Sequence, residues 1–214
     1  MRILLVIFLF FLLTICASAQ TVSKIKLQNP GSGKITLVEG KKRATIDLSK
    51  NIFGCPYVSS SQKRILDQKG CTAAPATIKL VDAVVKDKLT FLVLQSVAAG
   101  NCNVCGKCGS NETFTLIWLK LDTRLRVLDK KSVLVDDCAE KIYSLTPELS
   151  FDEKTQTARL LWENNVSIWE FEKLITENDA VFYQFTHLEY RRKTPEKGFV
   201  IKTEKRARTS AQQQ

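Results

Sequence analysis

Cys102, Cys105 and Cys108 lie in the run NCNVCGKCGSNET at residues 101–113, spaced C-x2-C-x2-C. Thiols at that spacing support three chemistries. With Cys138 as a fourth thiolate they would close a tetrahedral zinc site. Iron–sulfur ferredoxins open with a similar run, but their fourth cysteine and proline are missing here, and Gly109 and Ser110 follow Cys108 instead. Cys102 and Cys105 alone form a C-x2-C dithiol. A working redox dithiol normally opens a helix, whose N-terminal dipole lowers the pKa of the nucleophile. This one lies in Gly- and Asn-rich chain between strand-like runs. The third chemistry is oxidation in pairs, which staples a fold and pre-orders a loop for binding.

The compartment decides among them. Arg2 precedes an almost unbroken apolar run over residues 3–15, and Ala17-Ser18-Ala19 offers a small-x-small cleavage site before Gln20. This is the three-part build of a secretory signal peptide. The run is shorter than the roughly 20 residues of a comfortable membrane span, which disfavours an uncleaved anchor. Ile15 before Cys16 makes a poor lipidation signal. No later segment is apolar enough to span a membrane as a helix, so the mature chain is expected to be secreted or periplasmic. After cleavage six cysteines remain: Cys55, Cys71, Cys102, Cys105, Cys108 and Cys138. An even number in an exported chain predicts disulfides rather than a metal or a cofactor. Cys55 and Cys71 bracket an irregular stretch with Gly54, Pro56, Gly70 and Pro75, and closing that loop is worth about 3 kcal/mol in the chain-entropy model. A hairpin turning at Asp122-Thr123 would bring Cys108 opposite Cys138, leaving Cys102 with Cys105. Six cysteines allow about 15 pairings, and the partner of Cys138 within the triplet stays open.

Other reactive residues point less sharply. His187, the single histidine, falls in the amphipathic run VFYQFTHLEY, and no Gly-x-Ser-x-Gly elbow accompanies it. Carboxylates pair at Asp136-Asp137 and at Glu170 and Glu172, a composition that a glycoside hydrolase would use. Glu170 and Glu172 are expected on one strand face with Trp169 and Phe171 on the other. Trp118 and Trp162 lie in apolar runs suited to burial, and Trp169 is the best of the three for partial exposure. Asn111 and Asn165 fit the N-glycosylation rule. No phosphate-binding glycine loop and no nucleic-acid module is present.

The elements that must position these residues are mainly strands. TVSKIKLQ, KITLVEG with KKRATIDLS, TIKLVDAVV with KLTFLVLQSVA, TFTLIWLKLD with RLRVLDKKSVLVDD, ELSFDEKTQTARLLWEN, VSIWEFEKL, AVFYQFTHLEY and GFVIKTE alternate or run apolar between turn signals. DCAEKIYSL, and SSQKRILDQ within the irregular stretch, are the best helical candidates. The expected fold is all-β, built of antiparallel hairpins as a meander, sandwich or barrel with at most one or two short helices, and stapled by disulfides. No fixed repeat of a propeller-type array occurs. The signal peptide covers residues 1–19, the β-rich domain 20–190, and a basic strand with a flexible tail 191–214.

That last segment carries eight basic residues against Glu196 and Glu204, a net +6 of the chain's formal +10. It is suited to anionic surfaces. The sequence predicts an exported, non-catalytic binding or structural protein of the cell envelope or extracellular space. The alternative is an exported thiol-redox or metal-binding protein using Cys102, Cys105 and Cys108. A third class, a hydrolase, would need a cleft around Glu170 or Asp137.

Overall fold

The computed structural model describes residues 21–31, 33–53, 76–99, 112–138, 140–144, 150–152, 157–159, 166–177 and 180–207. They form fourteen strands and one short 3-10 turn, Pro195–Lys197, with no α-helix among them. The expected all-β fold is therefore observed. The candidate helix SSQKRILDQ lies outside the described residues.

Three sheets are present. The first is a small meander of β2 (Lys26–Gly31), β3 (Lys34–Glu39) and β4 (Lys42–Asp47). The central sheet contains β5 (Thr77–Lys86), β6 (Leu89–Ala99), β7 (Glu112–Leu121) and β8 (Val127–Asp136) as consecutive antiparallel neighbours. β1 (Thr21–Val22) joins it beside β5, and β10 (Ser150–Asp152) and β11 (Thr157–Arg159) extend it. The β11–β5 contact is the one parallel pairing among these strands. The third sheet has the order β14–β13–β12–β9, from Phe199–Ala207, Ala180–Arg191, Val166–Glu177 and Ile142–Ser144.

The central sheet is buried on both faces. Along β6, Leu92 and Leu94 enter one core with Ile35 and Leu37 of the small meander, while Phe91 and Val93 enter another with Trp169 and Leu188 of the third sheet. Along β7, Ile117 and Leu119 alternate in the same way with Leu116 and Trp118. Strands covered on both sides need apolar residues at every position, and this is why FLVL and LIWL are unbroken. The small meander is covered on one side only, and its strands alternate accordingly.

The joint between the central and third sheets depends on a β-bulge. The β5–β6 register slips between Leu80 and Asp82. Val81 and Asp82 consequently both face the third sheet, where Val81 packs in the core and Asp82 meets Arg192. A bulge re-aims a side chain in this manner. Arg192 grips the buried Asp82 carboxylate through Nη2 at 2.7 Å and Nε at 3.3 Å. The Tyr190 phenol lies beside Asp82; burial, reinforced by that carboxylate, raises its pKa. Next to this cluster Trp118 Nε1 donates to the Pro195 carbonyl at 3.0 Å. Gly198, at φ +63°, comes so close that an added Cβ would sit 3.2 Å from the Trp118 ring. Glycine meets both demands here, left-handed backbone and close approach.

Two local expectations are corrected. DCAEKIYSL is not a helix. Asp137 and Ile142 exchange backbone hydrogen bonds at 2.9 Å, and the Asp137 carboxylate accepts from Glu140 N at 2.7 Å. An aspartate that bonds backbone three residues ahead stabilises a turn at the expense of a helix, and β9 follows directly. The turn after β7 is also longer than expected. Asp122 accepts from the backbone N–H groups of Arg124 and Arg126, and Leu125 takes φ +62°. Phe114 therefore faces Asp136 and Leu119 faces Lys130. Continued in that register, Cys138 falls level with Glu112, not Cys108.

Candidate functional site

The cysteine-bearing segments leave and re-enter the described structure at one end of the central sheet. Phe53, the last residue before the 54–75 segment, donates its N–H to Thr115 Oγ1 at 3.2 Å. The chain returns at Ala76, and Thr77 faces Val97 near the end of β6. The triplet segment departs after Ala99 and returns at Glu112, and those two residues face each other across β6 and β7. Cys138 follows β8 at the same end, two residues past Asp136, which faces Phe114. Fold topology thus brings together Cys138 and the described chain ends that flank the segments bearing Cys55, Cys71, Cys102, Cys105 and Cys108.

Cys138 is half-buried and the only cysteine among the described residues. No cystine lies wholly within the described residues. The expected positions Cys55, Cys71, Cys102, Cys105 and Cys108, and with them the pairings, lie outside. Beneath Cys138 a buried polar anchor ties its turn to the root of the triplet segment. Asp137, 3% exposed, accepts from the buried Thr113 hydroxyl at 2.7 Å while also holding Glu140 N. Asp136 accepts from Ser144 N at 3.2 Å. Burial pushes its carboxyl up, the Ser144 bond opposes this, and the neighbouring Asp137 charge adds to it.

A raised carboxyl pKa has a definite sign for stability. Well above its folded pKa the Asp136 carboxylate is ionised in a setting that disfavours charge, and there its penalty is complete. The penalty vanishes once both folded and unfolded states are protonated. Asp136→Asn is accordingly expected to raise the thermal midpoint at about pH 7, and to lose that gain below about pH 4. Circular dichroism melts at both pH values check this.

The third sheet presents the remaining candidates. Trp169 and Phe171 are buried, and Glu170 and Glu172 occupy the opposite face, as the alternation predicts. Trp169 itself is 3% exposed, which corrects the expectation of partial exposure. It packs edge-on against Phe199 at 6.1 Å. His187 is half-buried on the outer face, and its Nδ1 lies 3.2 Å from Glu170 Oε1 directly across the strand pair. Glu172 faces Phe185 in the next pair. The two carboxylate pairs belong to different sheets, Asp136-Asp137 following the central one and Glu170 and Glu172 on the third. Trp162, Asn111 and Asn165 lie outside the described side chains.

The basic C-terminal segment is ordered further than sequence suggests. The strand expected over 198–204 continues to Ala207. Arg191, Lys193, Lys197, Lys202, Lys205 and Arg206 are exposed, and Arg191 and Arg206 pair with Glu189 and Glu204. Arg206 lies over the Phe185 ring at 4.1 Å, a cation–π contact. Sequence reasoning missed the Asp82–Arg192–Tyr190 cluster. Asp82 within the apolar run LVDAVV was its visible signal, since a lone carboxylate in a buried strand requires a partner.

Compared with known proteins, the chain matches no family model, no curated protein and no solved structure. Among the described residues no group of three or more His, Cys, Asp or Glu is arranged to hold a metal, and no helix is long and apolar enough to cross a membrane.

Proposed function

We propose that this chain is an exported, non-catalytic binding protein of the cell envelope or extracellular space. Its triplet and 54–75 segments act as disulfide-stapled loops on a rigid β scaffold. The observation that carries the reading is that the described chain ends flanking the cysteine-bearing segments, and Cys138 after β8, meet at one end of the central sheet. Loops rooted on a sheet that is packed on both faces start from a fixed base, and cross-linking them lowers the entropy lost on binding. Cystines persist outside the cytosol, which agrees with the leader-like N-terminus. The alternative, a thiol-redox or metal-binding role for Cys102, Cys105 and Cys108, requires those thiols to be reduced.

The partner in this reading is an anionic surface met by the basic C-terminal side. Cations near an anionic leaflet contribute about 1 kcal/mol each and are screened by salt. The chain from residue 20 is expected to co-sediment with vesicles containing anionic phospholipid and not with neutral ones. About 0.5 M salt should release it. Lys193→Glu with Lys197→Glu should weaken binding by about tenfold or more. A sulfated polysaccharide in a parallel arm separates a glycan surface from a lipid one. Salt-independent binding, or none to either, would remove this part of the proposal.

A further inference from the structure

We propose that two copies of this chain pair through β14, edge to edge and antiparallel, with Thr203 on the two-fold axis. β14 ends the third sheet, and among the described residues no strand pairs with its outer edge. Phe199 is buried, but every residue from Val200 to Arg206 is exposed, on both faces of the strand. Val200 and Ile201 are apolar and are 39% and 48% exposed. A nine-residue strand with an open row of backbone donors and acceptors is a template for another strand.

The residue order selects both the partner and the register. Thr203 is the midpoint of Phe199–Ala207, so an axis through it pairs all nine residues. In that register Lys202 of each copy faces Glu204 of the other, and the pair occurs twice. Val200 faces Arg206 and Ile201 faces Lys205, so each exposed apolar residue meets a long aliphatic stem that can cover it. Thr203 faces its own copy, a favourable cross-strand pair. Moving the axis by one residue sets Lys202 against Lys202 or Glu204 against Glu204, and like charges directly opposite destabilise a sheet. Moving it by two leaves only five paired residues, and toward the C-terminus it also sets Lys205 against Lys205. Edge lysines usually block pairing. Here like charges and short overlap disfavour the neighbouring registers, and full overlap coincides with opposite charges only with Thr203 on the axis. A two-fold contact of this kind is isologous and closed, so assembly stops at the dimer.

Sedimentation equilibrium of the chain from residue 20 tests the proposal, with circular dichroism confirming that each variant is folded. The wild type is expected to be dimeric at micromolar concentration. Lys202→Glu or Glu204→Lys alone should weaken the dimer at least tenfold, and the two together should restore it. Thr203→Cys should give a covalent dimer on mild oxidation, whereas Lys202→Cys should not. A wild type that stays monomeric at about 100 µM, a dimer indifferent to both single reversals, or a double variant that fails to recover would each overturn the proposal.

Discussion

Trp118→Ala is expected to lower the unfolding free energy by about 3–5 kcal/mol, read as a shift in a urea titration with little change in slope. The cost has two sources. The indole is 1% exposed and fills the core between the central and third sheets, stacked against Phe91 at 6.1 Å. Its removal leaves a cavity that two packed sheets cannot collapse. It also strands the Pro195 carbonyl, which accepts from the indole at 3.0 Å, and frees Gly198 from the ring it abuts. Trp118→Phe should recover much of the packing but not the hydrogen bond, and should fall between wild type and alanine.

Arg192→Leu is the second large effect, at about 3 kcal/mol of destabilisation. The magnitude comes from what is left behind. The Asp82 side chain is 3% exposed and would be left in the sheet interface without its guanidinium. The Arg192 side chain is 27% exposed, which places the loss at the lower end for buried pairs. Replacing both residues by leucine should recover a good part of it, because an apolar pair avoids the desolvation cost that the ion pair only offsets. A double-mutant cycle followed by urea unfolding measures the coupling.

Strand existence was legible because burial leaves a period in the sequence. Ile35 and Leu37 share one buried face, and Glu170 and Glu172 lie opposite Trp169 and Phe171, as the alternation predicts. The runs around Phe91 and Trp118 were equally legible as buried strands. Their role as the middle layer of three was not, because periodicity reports burial without naming what covers each face. Register was lost at the turn after β7. Asp122 and a left-handed Leu125 enlarge that turn, and Leu125 carries no glycine-like signal. The helical reading of DCAEKIYSL failed because one side chain, Asp137, decides the local backbone. Of the candidate site, the cysteines were legible as chemistry. The meeting of the described chain ends that flank them at one end of the central sheet was not, since it depends on which strand ends meet in space. The Asp82–Arg192 pair joins residues 110 positions apart, a separation no local pattern spans.

The central claim is that the cysteine-bearing loops are held by cystines in an exported protein. Peptide mapping of the native, secreted chain under non-reducing conditions, after alkylation of any free thiol, tests it most directly. An N-terminus near Gln20, no alkylated cysteine, and Cys138 linked to a residue of the Cys102–Cys108 triplet are expected. Free thiols at Cys102, Cys105 and Cys108 accompanied by stoichiometric zinc, or a C-x2-C pair that cycles with a mild reductant, would contradict it.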